Sequence, residues 1–512
     1  VLLAEIARAW EDVGATRSRS AKVARLAEVL DRLEAGELAA GTAMLAGEPR
    51  QGRIGVGWRT VGDLAVPPAE APTLTVTDVD ARLAALAQES GAGSQGRRQA
   101  ALEALWGAAT ATEQSFLAGL LLGNLRQGAL EGVVLQAVAD AAGVALDAVR
   151  RAAMLTGDLT RAARIAMADG AEGLAAVGLE VGRAVQPMLA QSAADVAEAL
   201  DRTGPAVVET KLDGMRIQVH RDGDDVRVVT RSLRDVTAEL PRVVAATREL
   251  PVDRVVLDGE AMAVADDGRP LAFQETMQSV GDGGMQPWFF DVLHVDGRDL
   301  LDEPLAARLE VLDRVVPAAW RVGRVDADDV GTAHDHLVAS LAAGHEGVVV
   351  KSRDATYEAG RRGAGWVKVK VAHTLDLVVL AVEWGSGRRR GWLSNLHLGA
   401  RDAETGDFVM LGKTFKGLTD ELLAWQTDQL LAREVRREGH VVHVRPDLVV
   451  EVAFDGVQRS TRYPGGMALR FARVKRYRPD KDATQADTVT TVREIHEGTR
   501  TPDPPDVTGR SD

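Results

Sequence analysis

The chain has 512 residues, 46% of them hydrophobic and 27% charged, with no cysteine and a formal net charge of −14. This is the composition of about three globular domains. It excludes disulfides and thiolate metal sites, no apolar run reaches membrane-spanning length, and a reducing cytoplasm is the expected setting. The opening Val1-Leu2-Leu3-Ala4-Glu5 lacks the basic-then-apolar layout of a secretion signal. An acidic total argues against nucleic acid only if the charge is evenly spread, because phosphate affinity depends on where the cations lie.

Residues 1–182 are rich in Ala and Leu, and helical periodicity over 20–33, 112–125 and 130–154 predicts an all-α domain. Two similar strings lie within it, Gly47-Glu48-Pro49-Arg50-Gln51-Gly52 and Gly123-Asn124-Leu125-Arg126-Gln127-Gly128. Each reads as a helix-capping turn with an arginine beside glycine-opened backbone N–H groups, which suits a nucleic-acid phosphate. Arg50, Gly52, Arg126 and Gly128 are therefore candidate nucleic-acid backbone contacts, against the plainer reading of C-capping glycines.

A linker is expected over 182–189, around Pro187. Within 183–372, short β-branched strands (206–209, 216–221, 226–230, 255–257, 288–292, 347–351) alternate with helices at 236–249 and 305–315, the pattern of an α+β domain. Residues 373–496 read as strands with one helix at 419–434, as in a small Greek-key barrel, and 497–512 as a disordered tail. Eight basic residues crowd into 459–481 with one acid, Asp480, so this acidic chain carries a local charge of +7. A solvated strand face is the plainer account of that run.

The most informative string is Glu209-Thr210-Lys211-Leu212-Asp213-Gly214-Met215-Arg216. A lysine followed at fixed spacing by Asp, Gly and Arg suits a nucleophile that captures a nucleotide phosphate. The amine attacks, the glycine admits backbone to the phosphate, and the arginine grips oxygens bidentately. A lysine nucleophile must lose its proton, and nearby cations or a metal ion assist that. Alternation in Trp366-Val367-Lys368-Val369-Lys370 puts both lysines on one strand face, as it would in an ordinary amphipathic edge strand. Asp258-Gly259-Glu260 ends one strand and Glu346-Gly347 begins another, so Glu260 and Glu346 could share a Mg²⁺ at a triphosphate. Lys351 closes a Val-Val-Val run, where burial demands a partner such as phosphate. Phe290 could stack on a purine, and Arg231 could reach a phosphate or sugar.

Together these strings resemble the covalent nucleotidyltransferases, and among them the ATP-dependent DNA ligases, closely the actinobacterial three-domain kind. Lys-Leu-Asp-Gly-Met-Arg resembles the family's first motif. Thr-Arg-Ser-Leu-Arg-Asp-Val-Thr, Asp-Gly-Glu-Ala, Phe-Phe-Asp-Val-Leu, Glu-Gly-Val-Val-Val-Lys and Trp-Val-Lys-Val-Lys follow in family order, and Arg478-Pro479-Asp480-Lys481 resembles the last. The resemblance implies a helical DNA-binding domain, an α+β nucleotidyltransferase domain and a C-terminal OB-fold barrel. It implies that Lys211 carries AMP, Glu209 accepts from the adenine amino group, and Phe290 stacks on the base. Arg216 and Arg231 would hold ribose and phosphate. Glu260 and Glu346 would bind Mg²⁺, or Mn²⁺. Lys351, Arg362, Lys368 and Lys370 would contact the α-phosphate or pyrophosphate. Arg478 and Lys481 would orient pyrophosphate in the first step, with a pivot near 371–375, and Arg470 and Arg473 would meet DNA. The implied substrates are ATP and nicked duplex DNA, encircled by a monomer associated with the bacterial nucleoid and serving replication, repair and recombination.

Three alternatives stand beside this reading: another enzyme of the same superfamily, a binding module, and a purely structural helical and barrel protein, which would require all the motifs to be coincidental. An RNA ligase or RNA-capping guanylyltransferase would share the lysine chemistry, but capping enzymes lack a long helical domain before the lysine, and Glu209 favours adenine. A binding module without catalysis would not need Lys211, Glu260, Glu346 and Lys481 together.

Overall fold

The computed structural model describes residues 1–52, 54–125, 130–265, 271, 276, 279–280 and 283–502. Contacts divide the chain into two units, Val1–Gln186 and Pro187–Asp512. The first is helical, with long segments at Leu3–Ala15, Arg19–Arg32, Val76–Gln88, Ala111–Leu121 and Leu159–Ala175. Its helices start where side chains satisfy the first N–H groups, Ser18 by a single bond and Thr75 and Thr110 through reciprocal capping boxes. Their apolar faces meet in a core that includes Ile6, Leu26, Leu30, Phe116, Leu117, Val134 and Val138. The single helix expected over 130–154 is two, Leu130–Ala142 and Leu146–Thr156. Gly143, at φ 64°, ends the first in a conformation that costs other residues more.

The two similar strings do close helices in the same way. Gly47 N–H donates to Met44 O and Glu48 N–H to Ala43 O; Gly123 N–H donates to Leu120 O and Asn124 N–H to Gly119 O. This is paired C-capping by glycine at positive φ, the plainer of the two readings. Arg126 and Gly128 lie outside the described residues.

Among its described residues, the second unit begins with ten strands: β1 Gln191–Ala193, β2 Ala206–Lys211, β3 Met215–Asp222, β4 Asp225–Thr230, β5 Arg254–Met262, β6 Gln286–Val295, β7 Arg298–Asp299, β8 Arg324–Ala327, β9 Gly347–Ser352 and β10 Trp366–Lys370. They form two sheets, ordered β1-β10-β9-β2-β8 and β4-β3-β5-β6-β7. The helix expected over 236–249 is a 3₁₀ turn, Thr237–Glu239, followed by Pro241–Arg248. Pro241 has no N–H to lose and so starts the second helix rather than sitting inside one.

Nine further strands follow: β11 His373–Trp384, β12 Leu393–Arg401, β13 Phe408–Thr414, β14 Glu434–Glu438, β15 Val441–Val444, β16 Val449–Phe454, β17 Gly456–Arg459, β18 Met467–Arg470 and β19 Arg473–Tyr477. The main sheet runs β13-β12-β11-β15-β14, with β16 bridging β11 to β19 and β17-β18 a separate pair. The helix Asp420–Leu431 packs on it. Among the described residues no pairing closes this sheet into a ring, so the C-terminal region is a sheet domain rather than a demonstrated barrel. The expected boundary at 372/373 falls inside the second unit, where only residues 371–372 separate β10 from β11. Of the expected tail, 503–512 lies outside the described residues; the 373–496 region before it ends in a second helix, Val489–His496.

Gly347 opens β9 at φ 140°, and a Cβ there would overlap the Val369 carbonyl oxygen of β10. Gly347→Ala should therefore destabilise the chain by about 2 kcal/mol, read as a lower midpoint in thermal or urea unfolding; an unchanged midpoint would contradict the packing described.

Candidate active site

Alternation along three paired strands builds one wall of a cleft of about 270 Å³. Glu209 and Lys211 of β2, Val349 and Lys351 of β9, and Trp366, Lys368 and Lys370 of β10 all face it. Their neighbours Val208, Val348, Val350, Val367 and Val369 lie in the apolar core on the other face. The opposite wall comes from the second sheet, where Arg216 of β3 pairs with Glu260 of β5. In β6, Phe289 pairs with Gly259 and Asp291 with Asp258, so Phe290 is the extra residue of a bulge. A bulge turns a side chain out of the regular alternation, and here it turns Phe290 into the cleft. Leu189, Ala190, Arg231 and Arg362 also line it, with Thr210, Leu212 and Val322.

Several charges at the cleft are paired. Lys211 and Lys370 both donate to Glu346, and Glu346 N–H donates to Lys211 O, which ties the loop before β9 to the end of β2. Burial would raise the Glu346 carboxyl, but Lys211 and Lys370 outweigh it and hold the group below the ordinary carboxylate range. Lys351 meets Glu209 at 2.5 Å, both buried, and its ammonium lies 4.5 Å and 4.1 Å from the ring centroids of Phe290 and Trp366. Burial raises the Glu209 carboxyl despite the charge of Lys351. Its Oε1 is buried with no hydrogen-bond partner among the described residues. Burial lowers the Lys368 amine, and Lys370, Lys211 and Arg362 add to the effect. Glu260 accepts from Gly214 N–H at 3.2 Å; burial pushes its carboxyl up to about 7, with Lys211 and Arg216 pulling the other way.

No cluster of three or more metal-ligating side chains occurs among the described residues. Glu260 and Glu346 supply hard carboxylate oxygens close to Lys211, which fits an ion completed by phosphate oxygens and water rather than by protein alone.

Comparison with known proteins identifies the scaffold. Residues 59–139, 187–370 and 389–481 match the families described as DNA ligase N terminus, ATP dependent DNA ligase domain and ATP dependent DNA ligase C terminal region. The chain is 58% identical to a probable DNA ligase of Nocardioides sp., over 96% of this chain and 98% of the relative. It is 56% identical to a probable DNA ligase of Mycolicibacterium gilvum, over 97% and 99%.

The chain belongs to the ATP-dependent DNA ligases.

It is a ligase enzyme whose family binds ATP and DNA. The solved structure Pmar-Lig_PreS3, at 19% identity and a TM-score of 0.52 over 92% of this chain and 99% of that one, shares the fold. No helix among the described residues of the ligase is long and apolar enough to cross a membrane.

Other expected site residues have protein partners that sequence did not reveal. Lys351 is paired by Glu209, where a phosphate was expected. Arg216 is bound at both ends of its guanidinium by the Asp258 carboxylate, at 3.0 and 2.6 Å, and also donates to Met188 O at 2.7 Å. It forms part of the wall, and Asp258 raises its pKa in spite of burial. Arg478 and Lys481 are not among the cleft lining; both bind Asp376 of β11, and Arg478 also binds Asp480. Arg470 binds Asp213 of the lysine motif and Arg473 lies 3.5 Å from Asp455, so neither stands as an uncompensated cation. The basic run from 459 to 481 is largely offset by acids distant in sequence, including Glu451 against Arg476. In the first unit, Asp80 binds Arg50 through two bonds, with Gln51 on the same carboxylate. Asp258, Tyr357 and Asp376 were missed. Asp258 had one detectable signal, a charged residue on a strand whose neighbours read as buried on both faces.

Glu260 sets a pH dependence. Its unfolded carboxyl ionises near 4.5 and its folded one near 7, so the folded ligase holds an extra proton between these values and loses stability as pH rises through them. In EDTA, Glu260→Gln should raise the thermal midpoint relative to the parent more at pH 8 than at pH 5; equal shifts would contradict the assignment.

Proposed function

We propose that this ligase seals nicks in duplex DNA through a covalent Lys211–AMP intermediate. One observation carries the reading: Lys211 bonds Glu346 and shares a cleft with Glu260 and with the Oε1 of Glu209, which has no hydrogen-bond partner among the described residues. A buried acceptor without a donor is costly, and the amino group of adenine supplies that donor where guanine presents a carbonyl. Phe290 offers its ring to the base, Arg231 its charge to ribose or phosphate, and Lys351, Arg362, Lys368 and Lys370 theirs to the phosphates. Arg216 contributes by holding the wall.

Three displacements at phosphorus follow. The Lys211 amine bonds to the α-phosphorus of ATP and pyrophosphate leaves. An oxygen of the 5′-phosphate at the nick then bonds to the AMP phosphorus, breaking the bond to nitrogen. Finally the 3′-hydroxyl bonds to the 5′-phosphorus and AMP leaves. Positioning and charge neutralisation account for most of the acceleration. Glu260 and Glu346 would hold Mg²⁺ or Mn²⁺, which neutralises triphosphate charge.

Residues 1–182 serve as the DNA-binding domain in this reading, 183–372 as the nucleotidyltransferase and 373–496 as an OB-fold. They act as a monomer around nicked duplex, in the bacterial cytoplasm, in replication, repair and recombination. Arg50, Gly52, Arg470 and Arg473 would join DNA contacts once phosphates compete for their present partners. Arg478 and Lys481 would serve the first step after the C-terminal domain turns about 371–375.

Incubation with labelled ATP and a denaturing gel tests the nucleophile. The parent should retain label and Lys211→Ala none; a labelled Lys211→Ala would reject the assignment. Lys481→Ala should slow self-adenylation at least about tenfold more than it slows sealing of pre-adenylated nicks. Equal loss in both assays would remove Lys481 from the first step. Sealing of a nicked duplex should occur with ATP and not with NAD⁺ or GTP.

A further inference from the structure

Tyr357 is buried beside the cleft yet does not line it. Its hydroxyl donates to Asp258 Oδ2 at 2.6 Å and accepts from Met188 N–H at 3.1 Å. Asp258 in turn takes two bonds from Arg216, and Arg216 donates to the Met188 carbonyl. Both polar groups of the Met188 peptide are thus fixed, one by Tyr357 and one by Arg216. The next residues, Leu189 and Ala190, line the cleft, and Leu189 N–H is held by Arg361 O at 2.8 Å. Arg216 sits between aromatic rings, 5.4 Å from the Phe290 centroid and 5.7 Å from that of Trp366. The Tyr357 ring is itself anchored, edge-on to Trp366 at 5.8 Å and 5.9 Å from the Arg308 guanidinium. Arg308 is completely buried, bound to Asp291 next to Phe290, and donates to Ala355 O two residues before Tyr357.

We infer that Tyr357 is a positioning residue for the nucleotide. Its hydroxyl couples Asp258 to the Met188 peptide and so holds Arg216, Phe290 and the 188–190 wall in the form that receives ATP. This rests on the proposal that ATP binds in the Lys211 cleft. Burial keeps the phenol far above its ordinary pKa, so it remains a donor across the working pH range. Removing the oxygen leaves the ring packing intact, deprives buried Asp258 of one donor, and strands the Met188 N–H. The loss falls on the shape of the cleft rather than on the attacking amine.

Self-adenylation of the full chain, followed against ATP concentration, tests this. Tyr357→Phe should raise KM for ATP about tenfold, the cost of one buried hydrogen bond to a charged group, while the saturating rate changes less. A merely structural role would shrink the labelled fraction with KM unchanged, and that result overturns the inference. Asp258→Asn should raise KM in the same direction. The double variant should be no worse than the more severe single one, since both act through one network; additive losses would overturn the coupling. If the parent takes up no label from ATP, the Lys211 reading fails and this inference with it, whereas a labelled parent with an unaltered Tyr357→Phe KM rejects the inference alone.

Discussion

The antiparallel register of β2 against β9, and of β9 against β10, is the constraint on which the rest depends. Lys211 lies opposite Gly347 and Lys370 opposite Gly347 from the other side, so the glycine lets two lysines converge on Glu346 just before it. Glu209 and Lys351 meet on the same face. A slip of one residue in either pairing would turn the cleft side chains of the slipped strand to the core face, and its core residues into the cleft. The apolar face and the charged face therefore enforce each other. Val208, Val348, Val350, Val367 and Val369 fix the register because they must be buried, and the register assembles the chemistry.

Charge economy in the second unit divides into two kinds. Arg216–Asp258 and Arg308–Asp291 are bidentate pairs on fully buried carboxylates, and both arginines or their partners meet Tyr357, so they make a polar frame for the cleft wall. Such pairs contribute little net stability but are destructive to break, because one charge is left stranded. Lys211–Glu346 and Lys370–Glu346 are partly open to solvent and lie where a polyanion would enter. The first kind shapes the site; the second can be exchanged for substrate.

Much of this was legible from residue order. Lys211, Glu260, Glu346, Phe290 and the alternating Lys368 and Lys370 belong to local patterns, a fixed-spacing motif or a two-residue period, and the fold brings them together around one cleft. Strand positions were largely recognisable, but their ends were short: β5 extends to Met262 and β6 to Val295, because pairing continues past the β-branched cores. Partner choice was not legible. That Glu209 meets Lys351, that Asp258 takes Arg216, and that Asp376 gathers Arg478 and Lys481 are decided by sheet packing between residues far apart in the chain. The acids that pair with part of the 459–481 basic run, Asp213, Asp376, Glu451 and Asp455, were not legible either, since they come from elsewhere in the chain. The break at Gly143 shows the converse, a local conformational preference overriding continuous helical periodicity.

The placement of Asp376 has a mechanical consequence. Asp376, Arg478, Asp480 and Lys481 all follow the two-residue junction at 371–372, whereas Arg470–Asp213 and Lys370–Asp455 span it. Any rotation at the junction would carry the first group along as preassembled cargo, its internal distances untouched. It would also rupture the Arg470–Asp213 and Lys370–Asp455 ion pairs, which therefore act as latches against a turn there.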